Sequence, residues 1–237
     1  MSYYYSILFL SFIIPFAFSF HHKVEFHKKF HIVIWSILIT SIPFIIWDII
    51  FVKNGIWGFN NNNTSNVYIY NLPIEELLFF FIIPFCCLYT KHLIDKFNIS
   101  FFKINNWNQI NLTISISLLL IAFYFSNKQY TFYCLSLCSF LIVCEYIFIK
   151  RVDYNSFYTL FIIIMIPFTL VNGALTGLFF NEGIVWYNKN EILNLYLFTI
   201  PIEDIFYSYQ LLFLNIIIYK NLEQKKTKPN SIFSKGL

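Results

Sequence analysis

The chain is built from apolar runs that are each about as long as a lipid bilayer is thick. A helix rises 1.5 Å per residue, so about 20 residues cross the roughly 30 Å of hydrocarbon. The runs are continuous rather than alternating apolar and polar, which favours helices over a transmembrane barrel. With 58% hydrophobic and 12% charged residues, a soluble domain could not cover its surface with polar groups. The sequence predicts one all-α integral membrane domain, residues 1–237, with about seven transmembrane helices at 2–20, 31–51, 72–90, 110–126, 130–149, 157–179 and 193–219.

Basic residues are distributed unequally between the two ends of these predicted helices. Thirteen of the sixteen lysines and arginines follow the first, third, fifth and seventh helices. Because cytoplasmic loops are rich in lysine and arginine, this bias places the N-terminus outside and the C-terminus in the cytoplasm of a multi-pass cell-membrane protein. The first run lacks a basic start and a cleavage site, so we expect it to remain as a helix. The basic tail at 221–237 predicts contact with the lipid surface, not with nucleic acid.

One short motif occurs twice, as LPIEE at 72–76 and as IPIED at 200–204, 128 residues later. Laid on itself at this offset without a gap, the chain matches at further positions, among them Gly55/Gly183, Asn60/Asn188, Tyr68/Tyr196 and, upstream, Phe12/Phe140. This pattern predicts two internal repeats, at 1–109 and 129–220. A single linking helix between them makes both repeats run in the same direction, related by a pseudo-twofold axis along the membrane normal. Both acid motifs then face the same side of the membrane.

The acids of the two motifs are the candidate catalytic groups. Proline at the first helical position with acids in the first turn is also what an ordinary helix start favours. Hydrocarbon, however, penalises a charged carboxyl, so an ionisable group in an apolar helix is a functional candidate. Two copies strengthen the functional interpretation, which makes Glu75, Glu76, Glu203 and Asp204 the predicted catalytic residues. Glu75 and Glu203, identical in both repeats, are predicted to transfer the proton. Glu76 and Asp204 are predicted to adjust that proton transfer.

Aromatic and amide side chains near the two motifs are the candidate binding groups. A water-poor pocket with acids and π-faces can protonate an unactivated double bond and stabilise the resulting carbocation by cation–π attraction. Amides and a further acid could hold the catalytic carboxyls in the required protonation state, although Asp48 is equally suited to pair with Lys53. The predicted substrate-binding and cation-stabilising residues are Trp47, Asp48, Trp57, Asn60, Phe79, Asn172, Trp186, Tyr187, Asn188 and Tyr207.

Several motifs in this order resemble one family. WDIIFVKNGIWGFN at 47–60, LPIEELLFF from 72, NGALTG at 172–177, VWYN at 185–188 and IPIEDIFY at 200–207 are similar to the small membrane lycopene cyclases. These occur as paired subunits or as fused domains, and this chain looks like the fused form. The resemblance implies a lycopene β-cyclase, an isomerase of the intramolecular lyase type in carotenoid biosynthesis, with other enzymes of that pathway as neighbours. The run LLFFF at 77–81 departs from the tryptophan-containing start expected there, which affects ring selectivity.

The implied reaction is redox-neutral and the sequence holds no glycine-rich dinucleotide motif, so we expect no flavin, nicotinamide or metal. Within the same family, a cyclase that forms ε- or γ-rings or acts on longer carotenoids is an alternative. A small three-one-three membrane transporter is another, although it would need a polar path that the midspan residues do not offer. A retinal photoreceptor requires a lysine in the last helix, and residues 201–219 contain none.

Overall fold

The computed structural model describes residues 2–150, 152–179 and 182–227. This part of the chain forms seven α-helices, as predicted, and only short strands. The helices are α1 (Tyr3–Phe18), α2 (Phe30–Lys53), α3 (Ile74–Lys96), α4 (Trp107–Tyr124), α5 (Gln129–Cys144), α6 (Tyr154–Leu175) and α7 (Ile202–Thr227). A 3₁₀ turn at Phe26–Lys29 precedes α2, and a π-helical turn at Glu145–Ile149 follows α5. Five spans among the described residues are long and apolar enough to cross a membrane: α2 with the 3₁₀ turn before it, α3, α4, α5 with the π-helical turn after it, and α6; α1 is a shorter apolar helix.

The seventh helix differs most from its predicted bounds. It begins at Ile202 rather than at 193, because Asn194 and Phe198 have φ angles of 58° and 57°, in the left-handed region that interrupts a right-handed helix. At its other end it continues to Thr227, so the predicted tail begins inside α7. The remainder of that tail, residues 228–237, lies outside the described residues.

The loops before the two acid-bearing helices fold in the same way, 128 residues apart. Strands β2 (Tyr68–Ile69) and β3 (Leu72–Pro73) form a hairpin, as do β5 (Tyr196–Leu197) and β6 (Ile200–Pro201). The amide of Ile74, the first residue of α3, donates to the carbonyl oxygen of Val67 at 2.9 Å. The amide of Ile202, the first residue of α7, donates to the carbonyl oxygen of Leu195 at the same distance. Each hairpin therefore leads directly into a helix that begins with two acids.

A third pair of strands joins the two repeats. Strand β1 (Trp57–Phe59) runs antiparallel to β4 (Val185–Tyr187), with Gly58 opposite Trp186. The amide of Asn60 donates to the carbonyl oxygen of Ile184 at 2.8 Å, and the amide of Asn188 donates to that of Ile56 at 2.9 Å. When each residue is shifted by 128, Gly58 and Trp186 exchange places and the two amide–carbonyl bonds turn into one another, as a local twofold axis between the strands requires. Helices α3 and α7 consequently begin beside one another.

The gap-free register predicted from the sequence holds in these loops but not in the preceding helices. Helices α2 and α6 begin at Phe30 and Tyr154, 124 residues apart, and each contains a proline at the same place, Pro43 and Pro167. The segment between α6 and β4 is longer than the one between α2 and β1, which restores the offset of 128. Residues of α2 therefore correspond to residues of α6 that are 124 positions later.

The two acid-bearing helices lie at the centre of the helix packing. Helix α1 packs on α3 and α5 packs on α7, while α2 lies along α7 and α4 packs on α5. Away from the acids, the interior is filled mainly by aromatic and aliphatic side chains such as Phe26, Phe85, Phe157 and Phe213. This arrangement brings the first turns of α3 and α7 together with the C-terminal end of α2.

Candidate active site

A cavity of about 260 Å³ extends from the first turns of α3 and α7 into the apolar interior. Its polar end holds three carboxyl side chains, and the rest of its wall is mainly hydrocarbon and aromatic. The wall residues from α3 run from Glu76 to Thr90, and those from α6 run from Phe161 to Leu175. The cavity thus joins one carboxyl-rich end to a long apolar groove.

Glu76 and Asp204, the second acids of the two motifs, are buried and line this cavity. The Tyr4 hydroxyl on α1 donates to Oε2 of Glu76 at 2.5 Å. The Tyr130 hydroxyl on α5 donates to Oδ1 of Asp204 at 2.7 Å, and the Tyr187 hydroxyl on β4 donates to Oδ2 at 2.7 Å. Burial, and then the neighbouring Asp204, hold the pKa of the Tyr187 hydroxyl well above its ordinary value, so it remains a donor.

Asp48 on α2 contributes the third carboxyl of the cavity. Its side chain is buried, and the Tyr207 hydroxyl on α7 donates to its Oδ1 at 2.8 Å. Its other oxygen, Oδ2, is buried without a hydrogen-bond partner. Tyr207 belongs to the other repeat, so this hydrogen bond joins Asp48 to the second half of the chain.

Glu75 and Glu203, the first acids of the two motifs, are also buried, but they turn toward the loops. Glu75 accepts hydrogen bonds from the Ser2 hydroxyl and the Ser65 amide, both at 2.7 Å. Glu203 accepts from the Thr131 hydroxyl at 2.6 Å and from the Leu193 amide at 2.7 Å. In both repeats the glutamate thus holds the backbone ten residues upstream, and neither glutamate is among the described residues that line the cavity.

The comparison with protein families matches both halves of the chain. The model of the lycopene cyclase family matches residues 1–94 and, a second time, residues 127–222. The chain belongs to the lycopene cyclase family. Each match runs from the start of one repeat into its acid-bearing helix, so this lycopene cyclase contains two copies of the family unit, as expected of a fused member. Searches among curated proteins and among solved structures found no match.

Family membership establishes the class of substrate and the environment. The protein is a cyclase of carotenoid biosynthesis that acts on a carotenoid substrate, and its apolar helices make it a multi-pass membrane protein. The sequence-based recognition of the family is therefore confirmed.

The structure separates the predicted binding residues into two groups. Trp57, Phe79, Asn172, Tyr187 and Tyr207 line the cavity together with Asp48. The remaining residues lie around it. Trp47 packs against Phe51 and Tyr207 behind the wall, and Asn60 and Asn188 bond within the loops that precede α3 and α7. Trp186 lies 47% exposed over Gly58.

Sequence reasoning missed the two tyrosines at the heads of α1 and α5. Tyr4 and Tyr130 occupy corresponding places 126 residues apart, and each donates to the second acid of its own repeat. The gap-free offset of 128 instead aligns Tyr4 with Phe132, which conceals the correspondence. Allowing a short gap between the helices and the motifs would have revealed it.

The hydrogen bonds make the three cavity carboxyls chemically different. A buried carboxylate is stabilised by donors to both of its oxygens, and Asp204 has two. A buried carboxylate oxygen without a donor is unfavourable, so Asp48 is better accommodated as the neutral acid, with its proton on Oδ2. The site therefore offers an acid and a base at the end of an apolar groove.

Proposed function

We propose that this lycopene cyclase closes the linear ψ-ends of lycopene to β-rings by redox-neutral proton transfer within the carboxyl-lined cavity. The observation that supports this most directly is the convergence of Asp48, Glu76 and Asp204, from both repeats, on one cavity with a mainly apolar wall. Proton transfer to an unactivated double bond needs a neutral carboxyl and an environment that keeps water from the cation. The cell membrane is the proposed location, with other carotenoid enzymes as neighbours that supply the substrate and use the product.

In the proposed reaction Asp48 is the proton donor. Its Oδ2 has no donor of its own, and Tyr207 holds its Oδ1, so the neutral carboxyl is fixed in one orientation. The proton adds to the terminal double bond of the ψ-end and leaves a tertiary cation. The neighbouring trisubstituted double bond attacks this cation and closes a six-membered ring, which moves the positive charge to a ring carbon.

Asp204 is the proposed base, because two tyrosine hydroxyls stabilise it as an anion. Loss of the proton from the ring carbon that bears the polyene gives a β-ring. One proton is added and one is removed, so the product is an isomer of the substrate and no electrons are exchanged. The proton taken by Asp204 returns to Asp48 before the next ring is closed.

Glu76 and the aromatic wall have supporting roles in this proposal. Glu76, held by Tyr4, places a third carboxyl beside the reacting carbons and tunes the other two. The faces of Trp57, Phe79 and Tyr187 line the same end of the cavity and stabilise the cation by cation–π attraction. Glu75 and Glu203 fix the loops that carry these groups, a role that differs from the proton transfer predicted for them from sequence.

The proposal is tested with purified protein and lycopene in liposomes, after removal of flavin and nicotinamide and with a chelator present. We expect β-rings to form under these conditions and Asp48→Asn to lower the rate by about a hundredfold or more. Asparagine keeps the size of the side chain and the acceptor for Tyr207 but cannot supply the proton.

Strict dependence on an added reduced cofactor would contradict the redox-neutral mechanism. Products with ε- or γ-rings would retain the proton chemistry but place the base beside a different carbon. As a matched control, Asp153→Asn changes an aspartate that caps the start of α6, far along the helix from the cavity wall, and should leave the rate of ring formation unaffected.

A further inference from the structure

The twofold relation between the repeats predicts two equivalent grooves, but the structure has one open and one closed. Exchange of the repeats turns the contact between α2 and α7 into the contact between α6 and α3. Helix α2 packs closely along α7, whereas α6 meets α3 over a much shorter length. The cavity lies beside this looser contact, with wall residues from α3 and α6 and also from α1 and from α7 as far as Asn215.

The closed groove, between α2 and α7, is filled by large and hydrogen-bonded side chains. Rings of Phe44 and Trp47 pack on Tyr207, with centroids 5.3 and 5.8 Å away. Further along, the Ser36 hydroxyl donates to the backbone carbonyl of Asn215 at 2.9 Å. These contacts hold α2 against α7 over several helical turns.

The open groove, between α6 and α3, has smaller residues at two of the corresponding places. Trp47 and Val171 each lie four residues after the proline of their helix, so a valine stands where the closed groove has a tryptophan. On the facing helix, Cys87 stands where the closed groove has Asn215. Both Val171 and Cys87 line the cavity. The smaller side chains leave a gap that the counterpart contact does not have.

The open groove also leads outward from the helix bundle. Its wall includes Pro167, which is exposed, and Ile83, Cys87 and Ile164, which are half-buried. At 1.5 Å per residue, the wall of α3 from Glu76 to Thr90 is about 21 Å long. An elongated apolar slot that is open to the lipid and ends at the carboxyls fits a linear hydrocarbon that arrives from the bilayer.

We propose that the groove between α6 and α3 is the single entry and binding groove for the polyene of the substrate, and that Val171 and Cys87 keep it open. This inference rests on the proposed function for the identity of the chain that it binds. The counterpart groove is closed by Trp47, so both ends of a carotenoid pass through the same slot. Two family units thereby form one site with one entrance.

The experiment fills the open groove with the residue that fills its counterpart. Val171→Trp is purified from a lycopene-producing host, and the total carotenoid bound, lycopene together with any ring product, is extracted and measured per protein. We expect the bound carotenoid and the rate of ring formation each to fall by about tenfold or more, the factor that corresponds to about 1.4 kcal/mol of overpacking. The matched control is Ile166→Trp, since Ile166 lies on the same helix and is 71% exposed, away from the cavity.

A second variant is used in case Val171→Trp misfolds. Cys87→Phe narrows the groove from α3, and it decides the outcome if Val171→Trp does not give a monodisperse protein. Bound carotenoid equal to the wild type in a folded groove variant would overturn the proposal, as would an equal loss in Ile166→Trp. If the wild type binds carotenoid and the groove variants do not, but the wild type itself forms no rings, then the groove is established and the proposed reaction is wrong.

Discussion

Gly58 lies directly opposite Trp186, its counterpart 128 residues later, at the centre of the strand pair that joins the two repeats. A Cβ atom at position 58 would come within 2.6 Å of Cζ2 of the Trp186 ring. Position 58 of the first repeat therefore holds a glycine, and the equivalent position 186 of the second repeat holds the tryptophan whose ring covers that glycine. This difference at the local twofold axis shows that equivalent positions of the two repeats have different structural roles.

We expect Gly58→Ala to destabilise the protein by about 1 kcal/mol, the lower end of the range for overpacking, because the half-exposed Trp186 ring can swing outward. Thermal unfolding in detergent measures the change. In a double-mutant cycle, Trp186→Ala should remove most of the penalty, since it removes the atoms that the new methyl group meets. Additive effects of the two substitutions would contradict the contact.

The first and second acids of each motif should differ in what they affect. We expect Glu75→Gln and Glu203→Gln to lower the free energy of unfolding by about 1–3 kcal/mol, because each disturbs buried hydrogen bonds to a loop amide. Asp204→Asn should instead abolish most ring formation in a protein of nearly normal stability. Pigments separated by chromatography and thermal unfolding together distinguish the two effects. Full stability with no activity in Glu75→Gln would restore the role predicted for it from the sequence.

Sequence patterns predicted the helices well because a bilayer imposes a length and a polarity on each span. They also brought Asp48 and both motifs into the list of site residues. They could not show that Glu75 turns to the loop while Glu76 turns to the cavity, since neighbours on a helix point about 100° apart and either direction is consistent with the pattern. That choice depends on Ser65, whose amide is positioned by a loop with no regular periodicity.

The start of α7 illustrates a second limit. The segment from 193 to 201 is apolar enough to extend the predicted helix, yet Asn194 adopts a left-handed conformation and the chain turns into a hairpin. Asn66 does the same in the first repeat, with a φ angle of 61°. Asparagine tolerates this conformation better than most residues, so its repetition at both places was the available signal.

The two tyrosines that hold Asp204 should contribute to catalysis through their hydroxyls. We expect Tyr130→Phe and Tyr187→Phe each to slow ring formation by about tenfold to a hundredfold, because each removes one hydrogen bond of about 1.5–3 kcal/mol to a charged group. The variant that lacks both hydroxyls should be close to Asp204→Asn. Tyr133→Phe is the control, since Tyr133 lies on the same helix as Tyr130 and is 50% exposed. Wild-type rates in both single variants would exclude Asp204 as the base that they stabilise.

Membrane orientation is predicted by the charge bias and is open to direct measurement. A reporter fused after Leu237 should be cytoplasmic, as should one placed in the loop between α3 and α4 near Lys103. A reporter inserted near Asn62 should be external. The same location for Asn62 and Leu237 would show that the number of crossings, and the side on which the acids lie, is wrong.

The last prediction concerns the number of active sites. Asp48 comes from the first repeat and Asp204 from the second, yet both line one cavity, so the two ends of lycopene cannot react in separate sites at once. We expect Asp48→Asn and Asp204→Asn each to prevent closure at both ends and to leave lycopene, rather than a product with one ring. Chromatography of pigments from hosts with matched amounts of each variant in the membrane gives the answer. Accumulation of a one-ring carotenoid in both variants would indicate two independent sites, one for each repeat.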